Sequence, residues 1–194
     1  MILWTMQPIE VWNIVQETGV FRCDPALCSM PEPVFAEKYE WLIRHMEERI
    51  GPRPEGVTYP IWAWHTQNRK HEKPDLRRER WDYGTGNEQY VCIEIEVPDN
   101  QVLLSDFDDW CIILNNGLLT ASQEEYDRLD AYCDGLKPAD QIAFKHANWV
   151  RVFDVSPVAN SWEQRGEWVQ ANFWELQKDM IRSVRFFKTG KRKW

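Results

Sequence analysis

Apolar and polar positions along the chain recur at two periods, and the switches between them predict the elements. Ile2-Leu3-Trp4-Thr5 reads as a short strand, and Pro8 then fits the first turn of a helix. In that helix Ile9, Trp12 and Val15 keep helical spacing until Gly19 closes it as a C-cap. After a proline-punctuated loop over residues 23–33, the stripe Phe35, Tyr39, Leu42, Ile43, Met46, Ile50 predicts an amphipathic helix stopped by Gly51-Pro52. Residues 59–67 change to period two, which sets Ile61 and Ala63 on one face of a strand and Trp62 and Trp64 on the other.

Residues 68–87 carry no period, are polar and basic, and end in Gly84-Thr85-Gly86; they are expected to be a mobile surface loop. Residues 90–97 alternate Val91, Ile93, Ile95 and Val97 with Cys92, Glu94 and Glu96, the pattern of a strand with one face in the core and one in water. Val102-Leu103-Leu104 is short and apolar. Ser105, read as an N-cap, opens a helix through Phe107, Trp110, Cys111 and Leu114 to Asn115-Asn116-Gly117. Ser122 with Glu125 has capping-box spacing for a further helix to Gly135, and Pro138 can begin another. Residues 149–155, 167–176 and 181–187 read as strands or strand-turn units. Helices segregated against a mainly antiparallel sheet, an α+β class, accommodate this order, and residues 1–194 are read as a single domain.

Composition narrows the function classes. With 43% hydrophobic and 28% charged residues in 194, the chain can bury a core without metal or disulfides. Five cysteines (Cys23, Cys28, Cys92, Cys111, Cys133) leave one over in any pairing and include no Cys-x-x-Cys, so reduced thiols are expected. The start of the chain shows no secretory pattern and no apolar run approaches a membrane span, from which a cytoplasmic location is expected. A formal charge of -8 disfavours general nucleic-acid binding. Charge is unevenly placed: eleven acidic residues and a single basic one, Arg128, lie in 94–134, whereas 69–80 and 182–193 are basic. One function class that follows is a non-catalytic module gripping a protein partner through an acidic or aromatic surface.

Tryptophan is over-represented, with twelve copies, either filling an aromatic core or lining a groove. Asp106, Asp108 and Asp109 are spaced so that they can hold a divalent cation, but acids in a first helical turn need no metal to account for them, and none is assigned. The four histidines show no ligand spacing; His65 ends the tryptophan-rich strand beside the basic loop and is a candidate ligand contact. No phosphate loop, Rossmann fingerprint or nucleophile elbow is present.

Several stretches carry a resemblance. Leu3-Trp4-Thr5-Met6-Gln7, Tyr59-Pro60-Ile61-Trp62-Ala63-Trp64, the segment from Leu103 to Trp110, and Val169-Gln170-Ala171-Asn172-Phe173-Trp174 together resemble a bacterial family known only as a domain of unknown function, family 3841. The opening strand, helix and Gly19, with Glu167-Trp168-Val169-Gln170 heading a late strand, also resemble the ADP-ribosyltransferase-like fold. That second resemblance implies a cleft for a nucleotide-type ligand such as NAD, with the nicotinamide stacked on Tyr59, Trp62 or Trp64. It further implies Glu167 stabilising an oxocarbenium-like centre during glycosidic transfer and Thr5 orienting the substrate, Thr5 standing where that fold commonly has histidine or arginine. Such a cleft requires the strand of Thr5 and the strand headed by Glu167 to be neighbours.

Overall fold

The computed structural model describes residues 1–23, 35–84, 86–158, 162 and 164–190. Cys28, most of the proline-punctuated loop, Thr85 and the basic positions 191–193 lie outside the described residues. Among the described residues eight strands and six α-helices follow one another as β1 (Ile2–Pro8), α1 (Ile9–Thr18), β2 (Val20–Arg22), α2 (Ala36–Ile50), β3 (Ile61–Thr66), α3 (Leu76–Glu79), β4 (Gln89–Glu96), β5 (Leu103–Asp106), α4 (Phe107–Leu114), α5 (Gln123–Asp134), α6 (Pro138–Trp149), β6 (Val169–Phe173), β7 (Glu175–Gln177) and β8 (Ile181–Lys188). Six strands form one sheet in the order β5-β6-β3-β1-β4-β8, every neighbouring pair antiparallel, and β2 pairs β7 in a small second sheet. The class is therefore α+β with a mainly antiparallel sheet.

Alternation decides which face each side chain occupies. Leu3, Ile61, Ala63, Val91, Ile93, Ile95, Ala171 and Phe173 face one way and pack with Val11 and Val15 of α1, Phe21 of β2 and Leu176 of β7. On the other face two separate covers meet the sheet. Over β5, β6 and β3, Trp41, Leu42, Ile43 and Met46 of α2 pack with Leu103, Trp110, Ile113, Trp149 and Trp174. Over β1 and β4, Leu76 and Tyr83 pack on Trp4, Met6 and Cys92.

This second cover corrects two sequence expectations. Residues 68–87 hold a short helix, α3, whose N-cap Asp75 accepts from the Arg77 amide, and the segment lies on the sheet rather than looping clear of it. Consequently the second face of β4 is not wholly in water, since Cys92 is buried there. The segment reaches the sheet through apolar anchors at Leu76 and Tyr83, too widely spaced to produce a period. A third correction concerns residues 149–155, where α6 passes into a 3-10 turn over Val150–Phe153. Trp149 and Val152 are buried at a helical interval of three, which the alternating composition of that stretch conceals.

The middle of the sheet is only lightly joined. β1 pairs β4 through seven consecutive positions from Ile2↔Glu96 to Pro8↔Tyr90, but meets β3 at the single register pair Trp4↔Trp64. Beyond that pair, from Thr5 to Pro8 on one side and Ile61 to Ala63 on the other, the two central strands have no register partners in common.

Candidate functional site

A cavity of about 280 Å³ occupies this gap. Its walls come from β1 (Trp4, Met6, Gln7), Phe21 of β2 with the following Cys23, the approach to and body of β3 (Tyr59 to Trp64), Tyr39 of α2, Tyr83 of the α3 segment and Gln170 of β6. Among the described residues no Asp, Glu, Lys or Arg side chain lines it.

The indoles that face the cavity are propped from behind. Trp62 leans on Trp110 with ring centroids 5.6 Å apart and receives the edge of Tyr39 at 6.4 Å. Trp64 contacts Phe107 at 5.3 Å and Trp168 at 5.7 Å, and its Nε1 donates to the Tyr83 hydroxyl at 3.0 Å. Trp4 stacks obliquely on His71 at 5.1 Å and donates from Nε1 to Glu94 Oε2. Rings fixed in this way have little side-chain freedom left to lose. Burial pushes the phenols of Tyr39 and Tyr83 up, Tyr39 to about 12 with Cys23 and Tyr59 adding to the effect, while the Trp64 indole opposes the rise at Tyr83. Both tyrosines therefore present neutral hydroxyls at ordinary pH.

Tyr59, Trp62 and Trp64, singled out from the sequence, converge on this cavity. His65 does not line it: its ring lies 4.4 Å from that of His71, whose Nδ1 bonds the His65 carbonyl, and its Nδ1 meets Thr66 Oγ1 at 2.9 Å. Burial, then the neighbouring His71, hold the His65 pKa below its usual value.

Thr5 is fully buried, and its hydroxyl donates to the Trp62 carbonyl at 2.7 Å while accepting from Gln7 Nε2 at 2.7 Å. Both capacities of that hydroxyl are thus spent inside the protein. Glu167 precedes β6, accepts from Arg69 Nη2 at 3.4 Å, and is near enough to Asp108 to help raise that carboxyl, after burial and Asp106. β3 lies between β1 and β6 in the sheet, so the expected adjacency of the Thr5 and Glu167 strands does not occur. The topology could not be foreseen because residue pattern specifies faces, not neighbours.

The acidic trio also has a definite structural use. Asp106, not Ser105, caps α4: its Oδ1 accepts from the amides of Asp108 and Asp109 at 3.1 and 3.2 Å, and its Oδ2 accepts from Gly166 at 2.7 Å. Among the described residues no three His, Cys, Asp or Glu side chains are grouped to hold a metal ion. Sequence reasoning passed over Trp4, Gln7, Tyr83 and Gln170 as cavity residues. A glutamine at each of two strand positions otherwise flanked by apolar residues was the available signal for Gln7 and Gln170.

Seven of the twelve tryptophans fall into the two uses that composition left open. Trp41, Trp110, Trp149 and Trp174 sit in the core cluster, Trp149 and Trp174 donating to the carbonyls of Gly117 and Gly51, whereas Trp4, Trp62 and Trp64 wall the cavity. Among the described residues no helix is long and apolar enough to cross a membrane.

No curated protein and no solved structure matches the chain. One family does, over residues 2–182, nearly the whole length: the chain belongs to the family described as Domain of unknown function (DUF3841).

Proposed function

We propose that the protein binds the flat ring of a nucleotide-type ligand, NAD among the candidates, in the aromatic cavity between β1 and β3. The observation that carries this reading is the cavity itself: about 280 Å³, walled by Trp4, Trp62 and Trp64 that neighbouring rings hold in place, and free of charged side chains among the described residues. That volume lies just below the range of drug-sized ligand clefts, about 300–1,000 Å³, so it admits one ring system while sugar and phosphates stay outside. The flat aromatic and uncharged walls set the ligand class, and nothing in the reading requires a reaction. Thr5 and Glu167 enter it as structural groups, each engaged away from the cavity's interior. The same reading sets the protein in the bacterial cytoplasm, which the buried thiols of Cys92 and Cys133 favour.

Titration calorimetry with nicotinamide, adenosine and NAD tests it. Saturable binding of at least one of them, lost in Trp62→Ala, is expected; no heat and no thermal shift at millimolar concentrations of all three counts against the reading.

A second reading, a protein-interaction module, is favoured by the surface of α5 and α6, where Tyr132 and Ile142 are 58% and 49% exposed beside the acidic residues of α5. Replacing Tyr132 and Ile142 by serine leaves ring binding intact under the first reading and abolishes partner capture under the second.

A further inference from the structure

Half of the residues lining the cavity are aromatic, against 13% of the whole chain. The remainder bring apolar groups, two neutral amides and one thiol, so no formally charged side chain stands at the wall among the described residues. A cavity of that kind takes either a neutral apolar group, driven in by burial alone, or a weakly hydrated cation held against ring faces. The arrangement of the rings and of the charges behind them favours the cation.

Tyr39 stands nearly perpendicular to Tyr59, at 85°, and to Trp62, at 80°. Rings at right angles make a corner, where one centre of charge meets several π systems at once. The positive edges of two indoles are occupied elsewhere: Trp4 Nε1 donates to Glu94 Oε2 at 3.2 Å and Trp64 Nε1 to the Tyr83 hydroxyl at 3.0 Å. Donation to a carboxylate also enriches the Trp4 ring in electrons, which strengthens its attraction for a cation. Lys73 lies 3.6 Å from the same carboxylate oxygen, but it is half exposed and water screens it more than it does Glu94. At the opposite wall burial, then Glu79 and Asp82, push the Tyr83 phenol up against the effect of Trp64, which puts two further carboxylates within electrostatic reach. A net charge of -8 draws cations to the molecule as a whole.

We infer that the cavity selects a group carrying a quaternary nitrogen, an N-alkylpyridinium ring or a trimethylammonium head, held by cation–π contact with its aromatic walls. Such a nitrogen has no N–H, so it asks for no hydrogen-bond acceptor from walls that are mainly ring carbon. This rests on the ring-binding reading for the site and adds to it the charge of the group that enters.

The full chain is titrated calorimetrically with two matched pairs: 1-methylnicotinamide against nicotinamide, and choline against 3,3-dimethylbutan-1-ol, in which carbon replaces the quaternary nitrogen. At least one cation is expected to bind about tenfold or more tightly than its neutral counterpart, and which one does so tells the pyridinium source from the ammonium source. Burial alone predicts the reverse order, because a cation gives up its hydration on entry. Trp62→Leu reduces the preference to within about threefold and Trp62→Phe, which restores a ring face, retains it. Glu94→Gln keeps an acceptor for Trp4 Nε1 and lowers the preference about twofold without weakening nicotinamide. Neutral compounds that bind as tightly as the cations, or a preference unchanged in Trp62→Leu, overturn the charge assignment while ring binding stands. Binding of choline with neither nicotinamide nor its methyl derivative overturns the ring-binding reading and leaves the charge assignment in place. Failure of all four compounds to bind overturns both. Should Trp62→Leu not fold, the matched pairs on the unaltered chain still decide.

Discussion

Tyr39 shows how a residue at the cavity wall ties function to stability. Its phenol ionises at about 10 in an unfolded chain and at about 12 in the fold, where burial disfavours the phenolate. A raised folded value means that stability is fully present below pH 10 and is lost as pH rises through 12. Tyr39→Phe is therefore expected to flatten part of the alkaline fall in unfolding free energy between pH 10 and 12, measured by denaturant titration at stepped pH. His65 works in the opposite sense. Its depressed value favours the neutral ring, so its contribution is present above 6.5 and is lost as pH falls below it. His65→Gln should make the acid-side loss of stability shallower. At this scale Trp62 and Trp64 were legible because strand alternation puts them on a single face, and Tyr59 because it opens the same aromatic stretch. Tyr83 was not, because it sits in a polar stretch whose role depends on folding back over β1 and β4.

Elements were legible where one period runs unbroken. α2 ends at Gly51 as its stripe requires, and its four buried apolar residues Trp41, Leu42, Ile43 and Met46 hold it to the sheet. Leu42→Ala, at a fully buried position, should cost about 2–5 kcal/mol by chemical denaturation. α4 was placed correctly but capped by the wrong residue, since Ser105 and Asp106 are both competent caps and only the strand register decides. Ser105 pairs with Gln170 in the ladder and turns into the interior, which leaves Asp106 at the helix start. Asp106 also holds Gly166, a residue with φ of +78° whose added Cβ would meet the Pro157 and Val155 backbone at 2.9 Å. Asp106→Ala thus removes a cap and a buried acceptor at once, and a loss of roughly 2–4 kcal/mol is expected in the same assay. Residues 150–153 eluded the pattern because Val-Arg-Val-Phe reads as a strand in isolation, while helical continuation from α6 is what buries Val152.

For the whole molecule the decisive feature is strand order, which no local pattern contains. β1 and β6 are separated by β3, and the cavity forms where β1 and β3 share a single pair instead of a ladder. The antiparallel α+β class followed from the alternation and from the distribution of helices, yet the gap at the sheet's centre depends on which strands become neighbours. The two covers on the second face are α2 with α4 over one half of the sheet and the α3 segment over the other. The consequence is a molecule in which four tryptophans fill a core cluster and three wall a cavity. The indole Nε1–H signals of the twelve tryptophans, followed by nuclear magnetic resonance as nicotinamide is added, test this division directly. The signals of Trp4, Trp62 and Trp64 should move saturably while those of Trp41, Trp149 and Trp174 stay in place. Movement confined to the core indoles, or none at millimolar ligand, would contradict the account.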